Sequence, residues 1–280
     1  MIKTAALIGE KSRAPMVSGL FYPDDPVEAR ERLDSFGLKQ GSGGTARAII
    51  APHGAWDISG AVAGAAFSSA AGLAPCRVVI LCTLHKLPDE GVFLSDSIHF
   101  ETPLGNLPVD AGTIYELASR NASLRVNDIP HLQEHGIEVL LPFIKYCFPG
   151  ASIVPVLMGG SRPPMIAALA RAMSAVLEPL MESSLVVVSS NLAINADAKR
   201  GLTQAETCVE ALERGGELFC DGVQQGSITA CGGPAIAALL QSGLLRGKRG
   251  GLIPDTFTSA VDDEKDTVYY GGIAFRNDVA

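Results

Sequence analysis

Two of the five histidines in this 280-residue chain stand where chemistry collects. His53 comes directly after the apolar run IIAP (49–52), and His85 follows VVILCTL (78–84). The tripeptide SSN (189–191) closes a third such run, LVVV (185–188). In open α/β sheets, ligands bind beyond the carboxyl ends of the strands, so these positions are where a site is expected. A third candidate side chain is Cys231, in TACGGPAI (229–236). Gly-Gly-Pro before an apolar run predicts a helix start, and a thiol there feels the positive end of the helix dipole, which favours thiolate. Two imidazoles and a thiolate make an open metal site for zinc, iron or copper, with coordination positions left for water or substrate. The same residues also admit two other readings. Cys231 could act as a thiol nucleophile beside His53 or His85, or all three could be buried structural groups.

The elements that must position these residues alternate along the chain. β-Branched runs at 46–51, 77–81, 152–157, 185–189 and 267–275 read as strands, with Pro155 suggesting a sheet edge or an irregularity. Helical patterns cover 26–36, 59–73, 111–120, 134–148, 165–180, 204–222 and 233–242. Asp24 and Asp25 cap the first of these and Pro26 opens it. Pro142 is expected to kink the segment 134–148. Continuous apolar strands separated by helices predict an α/β fold, one sheet covered on both faces. No internal repeat or linker divides the chain, so a single domain over 1–280 is expected.

Composition narrows the function. Apolar residues make up 47% of the chain, enough for a large core, and the net charge is −8 without a basic run. Phosphate neutralisation needs clustered lysine and arginine, so nucleic acid is not an expected partner. The uncharged stretch 58–76 is Ala/Gly/Ser-rich and contains Pro75, which predicts a helix packed closely on a sheet rather than a membrane span. The N-terminal residues carry no secretory pattern. None of the six cysteines forms a C-x-x-C pair, and a cytoplasmic protein without disulfides is expected.

Longer motifs then point to a family. RAPMVSGLFYP (13–23) resembles R-x-P-x-x-x-G-x-F-Y-P, and APHGAWDISG (51–60) resembles A-P-H-A-G-Y-x-Y-S-G. TPLG (102–105) with Val109-Asp110, EHGIEVLLPF (134–143) and IVPVLMG (153–159) match further pieces in the same order. These are motifs of the Memo family, which includes the AmmeMemoRadiSam system protein B group, and the chain resembles it nearly end to end. The resemblance implies a mixed, mostly parallel sheet related in fold to the class III extradiol dioxygenases, which use non-haem iron. It implies metal ligands at His53, His85 and Cys231, and a cleft that takes a small molecule or a peptide. Glu134 and His135 fall in a shared motif and open a helix, where they could support a metal ligand, contact substrate, or serve only as a helix-terminal acid and a capping imidazole. Trp56 replaces the family's tyrosine, at the pocket or the edge of the core. Departures are equally specific. CTLHK (82–86) stands for G-P-S-H-H, which puts Lys86 at a histidine position. SSNLAI (189–194) stands for S-S-D-x-x-H, which puts Asn191 at the acid and Ile194 at the general base. An isoleucine transfers no proton, so extradiol ring cleavage is not expected. Asn191 can still accept an imidazole N–H, but it carries no charge to raise ligand basicity.

Overall fold

A computed structural model describes residues 11–86 and 89–277. The segment 1–10, read above as lacking a secretory pattern, lies outside the described residues. The main sheet has eight strands: β1 (Ala48–Ala51), β2 (Arg77–Thr83), β3 (Gly91–Leu94), β4 (Leu124–Val126), β5 (Ser152–Gly159), β6 (Ser184–Ser189), β7 (Lys248–Leu252) and β8 (Ile273–Asn277). Their order across the sheet is β7-β8-β1-β6-β2-β5-β3-β4. The central four, β1, β6, β2 and β5, are mutually parallel. β3 and β4 pair in parallel with each other, while β3 on β5, β8 on β1 and β7 on β8 are antiparallel. The sheet is therefore mixed, with a parallel centre.

The longer helices are α1 (Pro26–Ser35), α2 (Trp56–Ser68), α3 (Ala111–Arg120), α4 (Leu141–Cys147), α5 (Pro163–Leu177), α6 (Ala198–Arg214), α7 (Gly216–Gln225) and α8 (Gly233–Gln241). The period of two along each strand sends alternate residues to opposite faces, and both faces are covered. Ile50, Val79, Leu81, Val154, Val156, Val186 and Val188 pack on residues of α3, α5, α6, α7 and α8. Ile49, Val78, Ile80, Cys82, Leu157, Leu185 and Val187 pack on Leu33 of α1, Ala63, Ala66 and Phe67 of α2, and Phe143 and Ile144 of α4. This is why the strands read as unbroken apolar runs.

Four sequence expectations change. Pro155 lies inside the sheet, opposite Ile80 of β2. It precedes the Val156–Gly159 stretch that pairs with β3, so that ladder asks no N–H of it. The helix expected over 204–222 is two, broken at Gly215 with φ +140°. The segment 134–148 divides into a turn of helix at His135–Glu138 and α4, with Pro142 in the first turn of α4, where its missing N–H is harmless. The closing strand 267–275 splits at Gly271-Gly272. Thr267–Tyr270 leaves the main sheet to lie between Ala193–Asn195 and Thr258–Val261 in a small antiparallel sheet, and β8 returns to pair with β1.

One helical stretch, Pro163–Ser183, is long and apolar enough by length and composition to cross a membrane. Met165, Ile166, Leu169, Met173 and Val176 on it pack in the core, as expected of a helix covering a sheet face. The stretch 58–76 is likewise spent on the sheet: Ala63, Ala66, Phe67 and Ala70 are buried.

Candidate metal centre at the strand ends

Register places the site. Ala51 of β1 and Cys82 of β2 both lie opposite Ser189 of β6, so the three chains leave the sheet level with one another. His53, Asn191 and His85 therefore emerge at one edge. Cys231 arrives just before α8, which crosses the sheet face beside β2. One donor atom each from His53, His85 and Cys231 lies within 4.8 Å of the others. Cys231 Sγ is 3.5 Å from His53 Nε2, and the rings of His53 and His85 have centroids 5.0 Å apart.

The hydrogen bonds decide how each ring is used. His53 Nδ1 meets Ser189 Oγ at 2.8 Å, and Ser189 Oγ meets the Gly136 carbonyl at 2.6 Å. Ser189 has one proton and a carbonyl can only accept it. The serine therefore accepts from His53 Nδ1–H, and Nε2 keeps its lone pair toward Cys231. Glu134 does the same for His85. Its Oε2 accepts the His85 backbone N–H at 2.8 Å and its Oε1 accepts the ring Nδ1–H at 3.0 Å. Oε1 also accepts the Gly136 N–H at 2.9 Å. Gly136 is confined to glycine by close approach, since a Cβ there would lie 2.5 Å from Cys82 Sγ.

The charges support one another. Burial opposes ionisation of Glu134, yet the bonds from His85 and Gly136 outweigh it and hold the carboxyl at about 2. Burial likewise disfavours a charged His85, but the Cys231 sulfur and Glu134 raise it to about 10. Burial alone would push the Cys231 thiol up. His53 and His85 overcome that and hold it well below its usual value. The sulfur also accepts the Asn191 N–H at 3.0 Å. Ser190 Oγ accepts the Gly232 N–H at 2.9 Å and so ties the Cys231 turn to the end of β6. Cys82, by contrast, is fully buried and its thiol is raised well above the ordinary value, chiefly by burial.

The other sequence candidates divide. His135 joins the cluster: its ring lies 5.7 Å from those of both His53 and His85, and burial lowers it to about 4. Lys86 is exposed and acts on His135 only as a nearby charge. Asn191 does not accept an imidazole N–H. Its Oδ1 accepts the His53 backbone N–H at 3.4 Å, because the ring is already committed to Ser189. Trp56 packs in the core, the second of the two places the sequence left open to it. It is 2% exposed, donates Nε1–H to the Val139 carbonyl at 3.2 Å, and packs on Tyr22, Phe36 and Phe143. Ile194 sits half-exposed on the small antiparallel sheet, opposite Val268.

Sequence reasoning missed the support behind Glu134. Arg13 and Glu138 form a buried ion pair at 2.5 Å. Arg13 also donates to the carbonyls of His131 and Glu134, each at 3.1 Å. Glu138 accepts the N–H groups of Met16 and Val17 and the Tyr22 hydroxyl. The motifs at 13–23 and 134–143 are thus two halves of one clasp, and their co-occurrence was the available signal. Tyr270, brought alongside Gly54 by the split of the closing strand, was also missed.

Fold and site together define a mixed α/β protein with a His/His/Cys cluster at the carboxyl ends of its parallel strands. The Memo-like protein family profile matches residues 13–274. A MEMO1 family protein of Thermotoga neapolitana is 30% identical over 245 residues, covering 82% of this chain and 88% of the relative. One from Nitrosopumilus maritimus is 26% identical over 274 residues, covering 94% and 99%. Among solved structures, an uncharacterized protein of Escherichia coli K12 superposes with a TM-score of 0.50 at 12% identity, over 81% of this chain and 98% of that one; this likeness concerns the fold alone. The chain belongs to the Memo-like protein family.

Proposed function

We propose that this protein is a non-haem metal protein in which His53, His85 and Cys231 hold one zinc, iron or copper ion and leave positions open to a small molecule or a peptide. The observation that carries this reading is that both Nδ1 atoms are hydrogen-bonded, to Ser189 and to Glu134, while His53 Nε2 lies 3.5 Å from Cys231 Sγ and one donor atom of His85 lies within 4.8 Å of both. Carboxylate–histidine pairing of this kind fixes the tautomer and raises ligand basicity. A bound ion would supply Lewis acidity, or one-electron chemistry in the case of iron or copper. The residues do the rest: Glu134 and Ser189 orient the rings, and the Asn191 N–H steadies the sulfur. Ile194 stands at the family's general-base position in the sequence and moves no proton, so extradiol ring opening is not part of this proposal. A cytoplasmic setting, proposed with this reading, keeps the thiols reduced; all six cysteines are free.

The test is titration of metal-free protein with zinc and with iron(II). One ion per chain is expected, and His53→Ala, His85→Ala or Cys231→Ala should each weaken binding about tenfold or more. Unchanged affinity in all three variants would contradict the reading. A thiol enzyme is the second reading, favoured by the contact of Cys231 Sγ with His53 Nε2 and the Asn191 N–H. Iodoacetamide labelling separates the two. Protection of Cys231 by zinc supports the metal centre, and fast labelling that zinc leaves unchanged supports the thiol enzyme.

A further inference from the structure

Among the described residues, Arg13 hydrogen-bonds through its side chain to Ala14, His131, Glu134 and Glu138, not to a member of the metal cluster. It is 2% exposed, on the short strand Ser12–Arg13 that pairs with His99–Phe100. All three guanidinium nitrogens are committed. Nε donates to the His131 carbonyl and Nη2 to the Glu134 carbonyl, each at 3.1 Å. Nη1 donates to the Ala14 carbonyl at 2.8 Å and to Glu138 Oε2.

These bonds bracket one turn of helix, His135–Glu138. Glu134 precedes the turn with extended backbone, and Glu138 ends it. So short a helix does not hold its own shape, because the first hydrogen-bonded turn costs more than it returns. The position of the turn therefore depends on what grips it from outside. Arg13 grips both ends. Glu138 returns the hold through the N–H groups of Met16 and Val17 and the Tyr22 hydroxyl.

Both histidine rings hang from this turn. Glu134 accepts His85 Nδ1–H at 3.0 Å. The Gly136 carbonyl takes the Ser189 hydroxyl at 2.6 Å, and Ser189 accepts His53 Nδ1–H at 2.8 Å. The structure assigns Arg13 a positioning role for both histidines of the metal centre, exerted through Glu134 and the turn that follows it. Lysine is not equivalent there: it offers its donors from one atom and lacks the planar fork that spans the two carbonyls and the carboxylate. This inference rests on the metal reading.

The test is zinc affinity of the full-length chain, by competition with a chromophoric chelator, at a temperature where circular dichroism shows each variant folded. Lower stability alone leaves the affinity of a folded chain unchanged. Losing the partner behind a metal-bound histidine costs about 10- to 100-fold, and Arg13→Lys loosens those partners without removing them, so a loss of about 3- to 10-fold is expected. In the zinc-loaded protein, the Nδ1 protons of His53 and His85 should exchange with solvent faster in Arg13→Lys than in the wild type. In a Glu134→Ala, Ser189→Ala background, Arg13→Lys should change zinc affinity by about twofold or less, because the turn no longer reaches either ring. Leu169→Ala, which opens a cavity on the other face of the sheet, should keep the wild-type affinity. If Arg13→Lys does not fold, Arg13→Met with Glu138→Gln, which buries no unpaired charge, takes its place with the same expectations. Wild-type affinity in the folded Arg13 variant, an equal loss with and without Glu134 and Ser189, or a comparable loss in Leu169→Ala overturns the positioning role alone. Failure of the wild-type protein to bind zinc overturns the metal reading and this inference with it.

Discussion

Removing Arg13 should damage the protein far more than its place near the N-terminus suggests. Arg13 and Glu138 are 2% and 1% exposed, and their ion pair is therefore fully desolvated. Arg13→Met leaves the Glu138 carboxylate buried with three donors but no cation. It also strips the carbonyls of His131 and Glu134 of a charged donor. Breaking a buried pair from one side costs about 3–5 kcal/mol. The orphaned carbonyls add to that, though not additively, so a loss of about 4 kcal/mol is expected from a total of roughly 5–15 kcal/mol. The assay is urea unfolding followed by circular dichroism, at pH 7.5, with the denaturant slope compared between proteins. The double variant Arg13→Met, Glu138→Gln should be less destabilised than the sum of the singles by about 2 kcal/mol, since it buries no unpaired charge. A loss below about 1 kcal/mol for Arg13→Met, or strict additivity in the double variant, would refute the reasoning.

Further outcomes follow from the same geometry. His131 is buried and held at about 4 against an ordinary 6.5, chiefly by burial. The unfolded chain therefore takes up a proton that the folded chain refuses. About 3 kcal/mol of stability, present above pH 6.5, should be lost as the pH falls from 6.5 toward 4. His131→Gln, which retains a donor for the Phe93 carbonyl that His131 Nε2 meets at 3.1 Å, should flatten that part of the pH–stability curve, and an unchanged curve would contradict the assignment. Glu134→Gln should weaken zinc binding about 10- to 100-fold while leaving Cys231 in place, because the His85 ring loses its charged acceptor. Equal zinc affinity in the variant would show that Glu134 does not orient the ligand. Iron-loaded protein should leave catechol intact in an oxygen-uptake assay, since Ile194 holds no proton; brisk uptake would overturn that expectation.

Much of the fold was legible because burial on both faces writes itself into the sequence. The stretches 48–51 (AIIA), 78–82 (VVILC) and 185–188 (LVVV) are apolar at every position, as strands covered on both faces require. His53 and His85 were legible for the same reason: each is the polar residue that ends such a run. What failed was long-range. Nothing near residue 134 says that its carboxylate reaches His85, 49 positions away. Asn191 was given a ring to accept from because the ring's bond to Ser189 depends on the pairing of β1 with β6. Trp56 opens α2, and a residue at a helix start can face a cleft or the core. The aromatic packing of Tyr22, Phe36 and Phe143 decided for the core. The single strand expected over 267–275 failed at Gly271-Gly272, where a Cβ on Gly271 would lie 2.5 Å from Leu192. That break brings Tyr270 alongside Gly54.

X-ray absorption at the zinc edge of the zinc-loaded protein tests the central claim most directly. The account predicts a first shell with one sulfur at about 2.3 Å and two imidazole nitrogens at about 2.0–2.1 Å, completed by light-atom ligands from solvent. In Cys231→Ala the sulfur shell should vanish while histidine scattering remains. A shell of oxygen and nitrogen alone in the wild-type protein would contradict the account.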